Sequence, residues 1–308
     1  MTAMKVFVAG ASGVIGRPTV RRLVEAGHEV TGMTRRQERV AQIRAAGAEA
    51  VVCDAFDAAG LRQVVAAAEP EVVVHLLTAL PERYDRKSDW LEPTNRIRRE
   101  GTRNLIEAAV AAGARRMVAE SIAFAYRQEG GWAKGEDEEI EDRVGPGVAV
   151  ADLERQVGEA DLEGLVLRYG WFYGPGTYFD RGGQEAMEVE RRRFPIVGKG
   201  TGAFSFLHTE DAAAATVAAV ERGAPGVYNV VDDEPAPLRE WLPVYAEALG
   251  AKRPLRVPFW LARLAAGEQT ARAAVEMRGA SNAKAKRELG WRPEHPSWRQ
   301  GFFELLGA

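Results

Sequence analysis

Lys5-Val-Phe-Val-Ala9-Gly10-Ala-Ser12-Gly13-Val14-Ile15-Gly16 is the stretch on which the fold turns. Four apolar residues make a short buried strand, three glycines follow at offsets of three, and a helical pattern then runs to Gly27. Glycine lets the backbone turn tightly and approach a pyrophosphate, and a helix starting there offers free N–H groups and the positive end of its dipole. With a strand before it and a helix after it, the turn Gly10, Ser12, Gly13, Val14, Ile15, Gly16 reads as a dinucleotide cradle.

The rest of the chain keeps the same rhythm. Strand-like runs at Glu29–Met33, Ala50–Cys53, Glu71–Leu77, Arg116–Ser121, Leu165–Tyr169 and Gly226–Val230 alternate with helical patterns, including a long one over Glu92–Ala112. Such alternation predicts an α/β fold, a doubly wound parallel sheet covered on both faces, with ligands beyond the carboxyl ends of the strands. Two stretches break the rhythm early: residues 122–145, with Gly130-Gly131 and the acidic run Glu136–Asp142, and residues 173–202, rich in glycine. The acidic run reads as a solvated surface loop or, alternatively, as a lid. The expected division is a nucleotide-binding domain over residues 1–172, to which 203–231 return, and a smaller substrate lobe from 173–202 and 232–308.

Composition narrows the partners. With 41 basic and 44 acidic residues and a net charge of −3, nothing points to nucleic acid or an acidic membrane surface. No run of about 18 apolar residues and no signal-peptide pattern is present, so the chain is expected to be cytoplasmic and not membrane-bound. Cys53 is the only cysteine, and His28, His75, His208 and His295 show no ligand spacing, so no metal site is expected.

Nucleotide choice is read at the end of the second strand, about 20 residues past the glycines, where an acid would hold the ribose 2′-hydroxyl of NAD. Here stand Thr34-Arg35-Arg36. Two guanidiniums and no acid favour the 2′-phosphate of NADP over NAD, the alternative being that both arginines simply begin the next helix facing solvent.

With these features the chain resembles the extended form of the short-chain dehydrogenase/reductase superfamily, which includes nucleotide-sugar epimerases and dehydratases. Beyond the glycine turn, the resemblance rests on Cys53-Asp-Ala55, Val74-His-Leu-Leu-Thr78, Gly101-Thr-Arg-Asn-Leu-Ile-Glu-Ala-Ala109 and Leu167-Arg-Tyr-Gly-Trp-Phe-Tyr-Gly-Pro-Gly176. It extends to Phe206-Leu-His-Thr-Glu-Asp211, Gly226-Val-Tyr-Asn229 and the tail Ser281–Trp291, nearly the whole chain. It implies a Rossmann-type sheet in which Asp54 contacts adenine, unless it only caps the following turn, Ala55 contributes backbone, and Leu76, Leu77 and Thr78 line the cofactor ribose. Tyr169 and Phe172 would lie near the nicotinamide.

The resemblance also implies a tyrosine and a lysine one helical turn apart, so that the ammonium lowers the phenol pKa and the phenol serves as acid or base. Pro146 and Val150 occupy those positions, Ile122 occupies that of the family's serine, and Arg98 that of the helix asparagine. No tyrosine between Lys87 and Lys199 has a lysine four residues later. Replacement catalytic groups are Tyr126, as acid, and Ser121, as a hydrogen-bond donor. Lys134 would reach the site only if the 122–145 loop folds over it. His208 and Asp211 read as a helix start, and Trp132, Trp171 and Phe172 as an apolar pocket. The expected function is an NADP-dependent oxidoreductase acting on a small, partly apolar carbonyl or conjugated substrate. A non-catalytic NADP-binding sensor and an epimerase or dehydratase are the alternatives. Relatives often dimerise through two helices packed on the sheet, which makes the Glu92–Ala112 helix a candidate homodimer face.

Overall fold

The computed structural model describes residues 2–85, 88–143 and 146–307, and of Pro146 only the backbone. Seven parallel strands form the central sheet: β1 (Lys5–Ala9), β2 (Glu29–Thr34), β3 (Glu49–Val52), β4 (Val72–His75), β5 (Arg116–Ile122), β6 (Glu163–Tyr169) and β7 (Gly226–Val230). Their spatial order is β7-β6-β5-β4-β1-β2-β3, so the chain reverses direction between β1 and β4. That switch point is where a doubly wound sheet leaves a crevice. The register brings Ala9 beside Met33 on one side and His75 on the other, aligning the carboxyl ends at one edge.

Period-two alternation sorts the apolar residues to two faces. Val6, Val8, Val72, Val74, Leu165 and Leu167 pack with α1 (Gly16–Glu25) and Ala212–Val220. Phe7, Ala9, Val73, Met117, Ala119 and Val166 face the opposite layer, built from α3 (Ala58–Ala68), α5 (Thr102–Ala111) and α6 (Pro146–Glu159), with α2 (Val40–Ala45) following β2 and α4 (Glu92–Arg96) preceding α5. The long helix expected over Glu92–Ala112 is therefore interrupted. Between α4 and α5 the backbone widens by one residue per turn over Ile97–Gly101, a distortion that presents side chains an unbroken helix would not.

A third apolar core lies apart from the sheet. Tyr173, Phe179, Trp241, Tyr245, Trp298 and Phe302 pack edge to face within it, drawn from α7 (Gln184–Glu190), its preceding loop and the C-terminal helices. Those helices are α9 (Leu238–Ala248), α10 (Phe259–Ala266), α11 (Glu268–Glu276) and α13 (Trp298–Leu306), whereas α8 (Thr209–Glu221) and α12 (Ala283–Glu288) pack on the sheet. No helix among the described residues is long and apolar enough to cross a membrane.

The stretch after β5 folds back instead of hanging free. Tyr126 bridges Ile140, and Ala133–Lys134 pairs in parallel with Gly279–Ala280. The acidic run is anchored: Glu136 accepts from the Asn229 amide (2.8 Å), Glu138 pairs with Lys134, and Asp142 with Arg127. Val144 and Gly145, at its end, lie outside the described residues.

Candidate active site

The three glycines have three different reasons to be glycine. Gly10 has φ +93°, and a Cβ there would sit 2.5 Å from the Leu76 carbonyl oxygen. At Gly16 a Cβ would stand 2.1 Å from the Gly10 oxygen, so α1 seats directly on the turn. Gly13 is different: the only neighbour of its Cβ would be the Gly10 oxygen at 3.2 Å, and the residue is exposed. Packing thus demands glycine at Gly10 and Gly16, whereas at Gly13 the protein leaves room for something else. No side chain caps the start of α1 and no acid stands in its first turn, so its positive end is unneutralised. This cradle fits a pyrophosphate.

Around it, Ser12 Oγ lies 3.0 Å from Thr34 Oγ1, which accepts from the Arg36 amide at 3.2 Å. These contacts hold the end of β2 against the turn and leave Arg35 and Arg36 exposed, neither guanidinium having a partner among the described residues. Asp54 accepts from the Phe56 amide (2.9 Å), closing a turn before Asp57 caps α3, and its other oxygen has no hydrogen-bond partner among the described residues. The Ala55 carbonyl accepts from Asn104 Nδ2 at 2.9 Å. Past β4, the Leu77 amide donates to His75 Nδ1 (3.2 Å), so His75 Nε2 carries the proton and donates to Thr102 Oγ1 (2.9 Å). Burial, aided by Arg98, pulls the His75 pKa down to about 4 and keeps it neutral. Leu76 is buried against Gly10, while Leu77 and Thr78 are half-buried at the crevice.

On the β5–β6–β7 side the residues expected to do chemistry are tied into structure. Arg168 grips Glu154 with two bonds, Nε–Oε1 at 2.9 Å and Nη2–Oε2 at 2.7 Å, and Ser121 Oγ donates to the same carboxylate at 2.6 Å. Arg168 Nη1 donates to the Tyr126 hydroxyl (2.7 Å), which donates to Asn229 Oδ1 (2.8 Å). Burial raises the Tyr126 pKa above that of an ordinary phenol, the reverse of what a ready acid needs. Tyr169 is 1% exposed and its hydroxyl meets Thr216 at 2.7 Å, so its ring belongs to the α8 layer; Phe172 leans on it at 5.5 Å. Lys134, though the loop does fold over, is spent on the Glu129 carbonyl (2.5 Å) and Glu138.

Two expectations need correcting. Trp132 is 45% exposed and makes no ring contact with Trp171, which stacks on Phe124 (4.2 Å), so the three aromatics do not form one pocket. The scattered histidines also partly converge: His208, Asp211 and His295 bring their ligand atoms within 4.8 Å of one another. His208 caps α8 as expected, accepting from the Glu210 amide, but Asp211 does more than suit the helix dipole. Wholly buried, it accepts from the amides of Glu294 (2.6 Å) and His295 (3.0 Å) and from His295 Nδ1 (3.1 Å). It is a clasp joining α8 to the C-terminal segment, and sequence spacing cannot show a contact made across more than eighty residues.

Residues 6–230 match the NAD dependent epimerase/dehydratase family. The chain belongs to that family. It is 47% identical over 304 residues to a 3-diazoavenalumate denitrifying reductase of Streptomyces, an alignment covering 97% of this chain and 99% of the relative. Among solved structures it resembles UDP-glucose 4-epimerase of Thermotoga maritima crystallised with UDP-glucose (TM-score 0.79, 20% identity, 99% of this chain and 98% of that one). It is also similar to the UDP-glucose 4-epimerase of Thermus thermophilus in complex with NAD (TM-score 0.75, 22% identity, 99% and 98%). The family member described here is a dinucleotide-binding oxidoreductase with a Rossmann-type fold. Sequence reasoning passed over Glu120, near the end of β5, whose burial pushes its pKa up to about 7.

Proposed function

We propose that this chain is an NADP-dependent reductase of a small conjugated substrate bearing a diazo group, the class named in its Streptomyces relative. One observation carries the reading: a chain so similar to a denitrifying reductase holds Ile122, Pro146, Val150 and Arg98 where the family's proton-transfer groups belong. When bound, the dinucleotide supplies a hydride equivalent, and the balanced reaction is aryl diazonium plus NADPH giving arene, dinitrogen and NADP⁺. Reducing a ketone leaves an alkoxide that must be protonated. Replacing a diazonium nitrogen by hydride leaves none, so a tyrosine–lysine pair has no task.

The chain's own residues would then bind and orient. Gly10, Ser12, Gly13, Val14, Ile15 and Gly16 would hold the pyrophosphate, Arg35 and Arg36 the 2′-phosphate, and Asp54, Ala55, Leu76, Leu77 and Thr78 the adenosine and ribose, with Phe172 and the Tyr169 backbone beside the nicotinamide. Ser121 and Tyr126 would hold the wall of the site through Glu154, Arg168 and Asn229 in place of donating protons. The test is to supply 3-diazoavenalumate and NADPH deuterated at the transferred position in ordinary water. One dinitrogen released per NADPH consumed, with deuterium on the product ring, is expected. Turnover confined to ketones or enones, without dinitrogen, would overturn the reading.

A further inference from the structure

Helix α10 is apolar on two opposite faces. At about 100° per residue, Phe259 and Ala262, which pack on the third core, share one side, and Trp260, Leu261 and Leu264 fall on the other. On that outer side Trp260 is 59% exposed and Leu264 74%. With Leu255 and Leu261 they are four of the nine large apolar side chains exposed among the described residues, all within ten positions of the chain. A helix apolar all round is ordinarily buried, and a contiguous exposed apolar patch marks a surface that meets something else.

The charges around this helix are of one sign. Residues 248–267 carry Lys252, Arg253, Arg256 and Arg263 and no acid. A short parallel pairing sets Arg256–Val257 beside Ile196–Val197, the Ile196 amide donating to the Leu255 carbonyl at 2.8 Å. It brings in residues 191–199, which hold Arg191, Arg192, Arg193 and Lys199, again with no acid. All eight cations are exposed, and among the described residues only Arg263 has a carboxylate at ion-pair distance, Glu268 at 3.6 Å. The net charge of −3 conceals this, because an average over the whole chain cancels what two paired segments concentrate.

We propose that this surface docks on an anionic lipid bilayer, with Trp260, Leu261 and Leu264 entering the headgroup boundary and the cations around them meeting the negative lipid headgroups. A bilayer supplies both halves at once: an apolar layer for the helix face and, at its border, negative charge within reach of long basic side chains. An indole, apolar in body and polar at its N–H, suits that border. Nucleic acid would engage the cations and leave the apolar face in water. A second copy of this chain would cover the apolar face but set like charges against like. Such docking is independent of the reaction catalysed.

The test is flotation of the full chain with vesicles of phosphatidylcholine mixed with phosphatidylserine, and with vesicles of phosphatidylcholine alone. Wild type should bind the mixed vesicles at least tenfold more tightly than the neutral ones, and salt at about 1 M, which screens charges beyond a few ångströms, should remove most of that binding. Trp260→Ser with Leu264→Ser and, separately, Arg253→Glu with Arg256→Glu should each weaken it at least tenfold. Neither pair should move the thermal midpoint, because all four side chains are exposed. Absence of binding to the mixed vesicles overturns the proposal, as does binding that either folded variant pair retains at full strength. If ultracentrifugation finds a wild-type dimer that Trp260→Ser with Leu264→Ser dissociates, the face lies between copies of this chain and the lipid assignment falls.

Discussion

Along β1, β2 and β4 the candidate site is made of backbone, whereas along β5, β6 and β7 it is made of side chains. On the first side Gly10 and Gly16 are held by contacts with carbonyl oxygens that no larger residue could make. On the second, the polar groups are a bidentate ion pair, a serine, a phenol and an amide satisfying one another. The difference explains how one half of the family's equipment persists here while the other has changed. A turn built from main chain admits almost no substitution, but a set of side chains can be exchanged for another that satisfies the same buried space.

The comparison can be broken most forcefully at Arg168. Arg168→Met should cost about 3–5 kcal/mol, because Glu154 would be left buried and uncompensated. Adding Glu154→Leu should recover most of it, and urea unfolding of the two variants measures both. At the glycine turn, Gly16→Ala should cost about 3 kcal/mol by forcing α1 off the Gly10 carbonyl. Gly13→Ala should change stability by less than about 1 kcal/mol while weakening NADPH binding at least tenfold, since only the ligand's space is invaded. If both variants lose stability equally, packing holds glycine at position 13 as it does at position 16.

Glu120 offers a pH test. Its carboxyl is held at about 7 against an ordinary 4.5, so the native state holds this proton more tightly than the unfolded chain. Stability from this group is complete below about pH 4.5 and is lost as pH rises through about 7. At about 1.4 kcal/mol per tenfold difference in proton affinity, the loss is ~3 kcal/mol. Glu120→Gln should therefore gain on wild type between pH 5 and pH 8 in parallel denaturation curves. A constant difference across that range would mean the carboxyl is not buried as described. Smallest is Tyr126→Phe, which removes one donor and one acceptor from the network and should cost about 1–2 kcal/mol. Dinitrogen release should stay within a few-fold of wild type, as expected of a wall and not an acid; a hundredfold loss would return Tyr126 to the chemistry.

Continuous apolar runs such as Val6–Ala9, alternating with helical patterns and punctuated by glycine, determined the parallel sheet, its order of elements and the crevice, because burial on both faces leaves a local imprint. The cradle was legible for the same reason: backbone requirements act on the residue itself. The absence of tyrosine and lysine at Pro146 and Val150 could also be read directly. Tertiary structure alone decided what became of the polar residues. Tyr126 and Ser121 look like free reagents until Arg168, Glu154 and Asn229, up to 103 residues away, are seen to satisfy them. Asp211 becomes a clasp only once strands and helices distant in sequence are folded together. A hydrogen bond or buried charge is defined by its partner, and the partner's distance along the chain leaves no local signal.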